Sequence, residues 1–230
     1  MLPEEAARLF IRENDLAVND LSLIISALTH PSFAQEHEVT AHYQRLEFLG
    51  DAVLALVVAE YLYRGFPQET EGVLTKIRAR VVCEGYLVKV AEKLKIGQYL
   101  LLGRGEELSG GRKRASILAD AVEAVIGALY LDQGLEYVRK FILRYLKEEI
   151  DAVAKGDFYD YKSRLQEIVQ STSRENVTYK ILEESGPAHD KTFVAGVFFN
   201  QRLLASGVGK SKKEAEQRAA QKVLEEGIFK

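Results

Sequence analysis

The chain has 230 residues, 47% of them apolar, and a formal net charge of -3. That length allows one large or two small domains, and the apolar fraction supports a real core. The mild acidity excludes polyanion binding through bulk charge, so any nucleic-acid surface has to be a local basic patch. A division near residue 155 is informative: residues 1–155 carry 19 Lys and Arg against 23 Asp and Glu, and residues 156–230 carry 12 against 11. Cys83 is the only cysteine. It excludes an intramolecular disulfide and fits a reducing, cytoplasmic setting. Following Val81 and Val82, it reads as a buried thiol. The start of the chain lacks the basic and apolar regions of a signal peptide. The longest apolar stretch, residues 52–59, is too short to span a membrane.

In chain order, residues 4–13 have helical spacing, and residues 21–28 form a second helix. That helix stops at Thr29-His30-Pro31, because the residue before proline is pushed out of the α region. A long central helix covers 44–63 and ends at Gly65-Phe66-Pro67. Helices follow over 71–82 and 84–94, then a Gly- and Arg-rich segment, 97–114, which reads as a mobile surface loop. A plain solvated loop and a polyanion contact both fit that loop. Residues 115–131 form another apolar helix. The last helix of this half shows Leu135, Val138, Phe141, Ile142, Tyr145 and Leu146 at helical spacing.

Near residues 154–157 the pattern changes. Residues 161–170 form a short helix, 177–181 alternate like a strand, and strands 192–199 and 202–208 join at a tight turn, Asn200-Gln201. A helix over 212–226 closes the chain. The expected class is therefore α+β with two domains: an all-helical domain over 1–155 and a small α-β-β-β-α domain over 156–230.

Two helices carry an oddity. Glu47 and Asp51 stand four residues apart at the head of an apolar run, with no Lys or Arg before Arg64. Asp120 and Glu123, three apart, sit in a second apolar run without a base. Both spacings put the two acids on one helix face. Like charges at that distance repel, and a carboxylate in apolar surroundings is costly unless compensated. A solvated face is the usual reading of an acidic pair, but the flanking positions here are apolar nearly all round. Two such helices suggest that the pairs face each other around a hard divalent cation, magnesium or manganese.

The final helix starts unusually. Ser211 and Glu214 form a capping box, yet Lys212 and Lys213 occupy the first turn with Lys210 just outside. Lysines there oppose the helix dipole, and an external phosphate would reverse the penalty. A solvated lysine cluster is the alternative.

These segments resemble bacterial ribonuclease III. Residues 44–54 look like its signature, and Ile117-Leu118-Ala119-Asp120-Ala121-Val122-Glu123-Ala124 looks like its second acidic motif. Ala27-Leu28-Thr29-His30-Pro31-Ser32-Phe33 and Glu71-Gly72-Val73-Leu74-Thr75-Lys76 match other landmarks. Residues 159–228 look like a double-stranded-RNA-binding domain. The resemblance implies a homodimeric, magnesium-dependent endoribonuclease in which manganese can substitute. It would cut double-stranded RNA to 5′-phosphate and 3′-hydroxyl ends with short 3′ overhangs, in processing of ribosomal RNA precursors and other structured RNAs. It implies Glu47, Asp51, Asp120 and Glu123 as metal ligands, with Asp51 and Glu123 catalytic, and Phe48 at the dimer contact. Many members carry Glu at the position of Gln44, which with Glu71 would assist through metal-bound water. Ser163, Gln166 and His189 would face minor grooves, with Lys210, Lys212 and Lys213 on phosphates. The alternative, a dimer that binds duplex RNA without cutting it, is favoured only by Gln44.

Overall fold

A computed structural model describes residues 2–155, 161–173, 175–187 and 190–229. The chain divides into two compact units, Met1–Phe158 and Tyr159–Lys230.

The first unit is helical: α1 (Pro3–Glu13), α2 (Leu21–Leu28), α3 (Pro31–Glu36), α4 (Gln44–Gly65), α5 (Glu71–Val81), α6 (Glu84–Lys93), α7 (Ile96–Tyr99), α8 (Arg104–Leu108), a 3-10 turn at Gly111–Lys113, α9 (Ala115–Gln133) and α10 (Leu135–Lys155). Pro31 ends α2 as expected, but it also opens α3. Proline is suited to a first helical position, where its missing N–H has no partner to lose, and the His30 ring accepts from Ser32 N–H as the cap. Helix α9 is the centre of the core. Ile117, Ala121, Val122, Ala124, Val125, Ala128 and Leu129 are all buried, and α4 packs along it through Leu46, Val53, Leu54, Val57 and Val58.

Glycine sets the distance of that packing. A Cβ built on Gly50 would lie 1.8 Å from the Glu123 carbonyl oxygen, and one built on Gly127 would lie 2.3 Å from that of Leu46. The two backbones touch, which only glycine allows.

The 97–114 segment is not the open loop expected. It holds α7, α8 and the 3-10 turn, and two of its arginines, Arg112 and Arg114, are engaged. Arg112 donates to the carbonyls of Gly97 and Leu100 and pairs with Glu107 at 2.6 Å, while Arg114 pairs with Glu106 at 2.6 Å. Helices this short carry little periodic signal, and the bonds that hold them fold the segment back on itself at separations no helical spacing marks. Cys83 is likewise exposed rather than buried. It caps α6 in the break after α5, off the apolar face that Val81 joins.

The second unit contains α11 (Tyr161–Thr172), β1 (Thr178–Ser185), β2 (Thr192–Phe199), β3 (Arg202–Gly209) and α12 (Lys212–Glu225). The sheet is antiparallel in the order β1-β2-β3. Asn200 and Gln201 both have positive φ, 49° and 65°, as a two-residue hairpin turn requires. Helices α11 and α12 cover one sheet face through Leu165, Val169, Ala219, Ala220 and Val223, packed with Val197. Strand β1 runs past the expected 177–181. Its second half, Leu182 to Ser185, is exposed, so the alternation that marks a half-buried strand stops while the pairing to β2 continues through an irregularity after Ile181.

Candidate active site

The α4–α9 crossing brings the acids together. One carboxylate oxygen from each of Glu47, Asp120 and Glu123 lies within 4.8 Å of the others, all three residues half-buried. Asp51 sits one turn along α4 from Glu47 and is exposed, outside that group of three. It is close enough to act on it: its charge helps raise both Glu47 and Glu123.

The electrostatics are those of an uncompensated acidic cluster. Burial is the first cause that pushes the Glu123 carboxyl up to about 7, followed by Asp51, Asp120 and Glu47. Glu47 is raised by burial and then by Asp120 and Asp51. Asp120 is raised mainly by burial, with a hydrogen bond from the Tyr43 hydroxyl acting the other way. Among the described residues, none of these four acids is ion-paired to a Lys or Arg. All the donors are carboxylate oxygens, with no His or Cys in the group. That set fits a hard divalent cation, which would remove the repulsion.

Two neighbours escaped the sequence reading. Tyr43 is buried at the head of α4, and its hydroxyl reaches Asp120 Oδ2 at 3.4 Å. The His30 ring lies edge-on to Tyr43, with centroids 5.5 Å apart, and its Nδ1 is 2.7 Å from Ser32 Oγ. The signals available were a tyrosine directly before an acidic helix and, for His30, its place in the run 27–33.

The other expected residues of this unit are not among the three grouped acids. Gln44 opens α4, exposed, one turn before Glu47. Glu71 opens α5 and accepts from Thr75 Oγ1 at 2.8 Å. It lines a cleft of about 710 Å³ with Leu62, Tyr63, Phe66 and Arg78, not the acidic group. Phe48 is 81% exposed on α4, so it is no core aromatic. Leu56 and Tyr63, also exposed, continue its helix.

In the second unit Ser211 Oγ accepts from Glu214 N–H at 3.2 Å, as the capping pattern predicts. Glu214 reaches back to the Lys210 N–H at 2.7 Å, one residue beyond the box geometry. Lys210 Nζ pairs with Asp190 at 2.6 Å, and Lys212 Nζ stands 5.8 Å from the centre of the Phe193 ring. Lys212 and Lys213 are exposed on the first turn of α12. Ser163 is exposed on α11, and Gln166 donates to Asn176 Oδ1 at 2.5 Å. His189 lies outside the described residues.

Residues 20–150 match the Ribonuclease-III-like family, and residues 161–226 match the double-stranded RNA binding motif. Ribonuclease 3 of Syntrophomonas wolfei is 64% identical over 222 residues, 96% of this chain and 95% of that one. Ribonuclease 3 of Moorella thermoacetica is 54% identical over 221 residues, with 96% and 95% covered. Among solved structures, a nuclease domain of ribonuclease III from Campylobacter jejuni is 42% identical with a TM-score of 0.57. It covers 60% of this chain and 94% of that domain, and its description concerns flexibility in a region involved in dimer formation.

Proposed function

We propose, from the premise that this chain belongs to the ribonuclease III family of endoribonucleases, that it hydrolyses double-stranded RNA with magnesium held by Glu47, Asp51, Asp120 and Glu123. The observation that carries this reading is the group of three carboxylate oxygens within 4.8 Å, without a basic partner among the described residues, on helices that meet backbone to backbone. A bound divalent cation supplies positive charge for the phosphate oxygens and acidifies water. Glu47, Asp120 and Glu123 hold that charge from two rigid helices, so little reorganisation is needed at reaction. Asp51, exposed at the rim, faces solvent and the incoming phosphate. Manganese, equally an oxygen-binding hard ion, substitutes.

The products are 5′-phosphate and 3′-hydroxyl ends with short 3′ overhangs, as two sites in a homodimer each cut one strand. The exposed face of Phe48 and Leu56 supports the dimer, because a large aromatic left 81% exposed on an apolar helix favours a partner surface. Gln44, one turn before Glu47, acts through water around the cation by hydrogen bonding alone, whereas Glu71, lining the separate cleft, takes no part in holding that water. The second unit holds the duplex by shape: Lys212 and Lys213 on phosphates, with Ser163, Gln166 and His189 toward minor grooves. Lys210 contributes less to phosphate binding, since Asp190 already pairs it. The substrates are ribosomal RNA precursors and other structured RNAs in the cytoplasm. No described helix is long and apolar enough to cross a membrane.

The test is a long labelled RNA duplex incubated with magnesium and then calcium. Magnesium-dependent cutting to 5′-phosphate ends supports the reading, and binding without cutting at any magnesium level refutes it.

A further inference from the structure

Tyr43 stands immediately before α4 and is 3% exposed. Each of its polar atoms is engaged. The N–H donates to the Thr29 carbonyl at 3.0 Å, and the carbonyl accepts from the Glu47 N–H at 2.8 Å. The hydroxyl reaches Asp120 Oδ2 at 3.4 Å. The ring is fixed edge-on against His30. One residue thus joins the backbone of an acid on α4 to the carboxylate of an acid on α9.

We propose that Tyr43 is the positioning residue for Asp120, engaging one carboxylate oxygen so that the other is presented with Glu47 and Glu123 to a divalent cation. The inference rests on the metal reading above. A neutral donor suits this task. Lys or Arg in the same place would orient Asp120 but would also oppose the cation. A phenol of ordinary acidity keeps its proton at neutral pH and so remains a donor. Partners that orient ligating carboxylates from behind commonly govern metal affinity. The bond is long by hydrogen-bond standards, which places the expected effect at the low end for such partners.

The test is Tyr43→Phe, which keeps the ring and removes the hydroxyl. Manganese is titrated calorimetrically into the RNA-free protein. The expected result is about tenfold weaker manganese binding, with the magnesium needed for half-maximal cleavage rising by a similar factor. Duplex binding in calcium should not change. In an Asp120→Asn background the same substitution should add nothing, since its effect runs through that carboxylate. Unchanged manganese affinity in Tyr43→Phe overturns the inference, and so does an equal loss in both backgrounds. Should Tyr43→Phe fail to fold, the unsubstituted protein decides by NMR. Saturating magnesium should shift the Tyr43 Cζ resonance, and an unmoved resonance overturns the inference. A protein that binds no manganese at all overturns the metal reading and this inference with it.

Discussion

Gly50 and Gly127 face each other across the α4–α9 crossing, each occupying space that a side chain on the other helix would need. A Cβ on Gly50 would lie 3.0 Å from the Gly127 nitrogen, and one on Gly127 would lie 3.2 Å from the Gly50 nitrogen. Glu47 and Glu123 flank this contact, so the distance between the helices sets the distance between the acids. Gly127→Ala should therefore cost about 1–3 kcal/mol as overpacking. Cleavage per folded molecule should fall as well, because the acids are pushed apart. Urea unfolding monitored by circular dichroism, with cleavage assayed in parallel, checks both. A variant of unchanged stability and activity would show that the crossing tolerates separation.

The acidic group predicts a pH dependence. The Glu123 carboxyl is raised to about 7 in the folded protein, from an ordinary value of 4.5. A carboxyl raised on folding penalises the folded state once it must ionise. Metal-free protein should thus lose stability as pH rises from about 4.5 to 7, and should not regain it above. Manganese should remove most of that loss, and its affinity should increase over the same range as it displaces the proton. Denaturation at several pH values in EDTA and in manganese measures this. Stability of the metal-free protein that rises through the window would contradict the assignment.

Phe48 is 81% exposed, so removing it should not harm the fold of the unit. Phe48→Glu is expected to retain the circular dichroism spectrum while shifting the protein from dimer toward monomer. Sedimentation equilibrium at micromolar concentration reads the mass. An unchanged dimer would exclude this face from the interface.

Lys212→Ala with Lys213→Ala should weaken binding to all duplexes alike. Its salt dependence should flatten by roughly one unit of slope for each phosphate no longer neutralised. Lys210→Ala should do less, because its ammonium is shared with Asp190. Filter binding across a salt series separates these cases. Equal slopes for the double variant and the parent would remove the lysines from the phosphate interface.

Much of this arrangement is legible in the sequence. The acids of α4 and α9 betray themselves because carboxylates in base-free apolar runs require compensation. The strand order and the Asn200-Gln201 turn follow from alternation and turn chemistry. What escapes depends on tertiary contact. Nothing local shows that Gly50 meets Gly127, or that Tyr43 reaches Asp120 from 77 residues away. The helices within 97–114 are too short for periodicity, and no spacing rule gives the folded-back path that lets Arg112 and Arg114 bond carbonyls and an acid earlier in the same segment. Cys83 follows two valines but falls at a helix boundary, where the neighbouring apolar pattern no longer predicts burial.

The most direct measurement is on Glu123→Gln, the most strongly raised of the clustered acids and a near-isosteric change. Duplex binding in calcium and cleavage in magnesium would be compared with the parent protein. The account predicts nearly intact binding and no detectable cleavage. Undiminished cleavage by Glu123→Gln would contradict it.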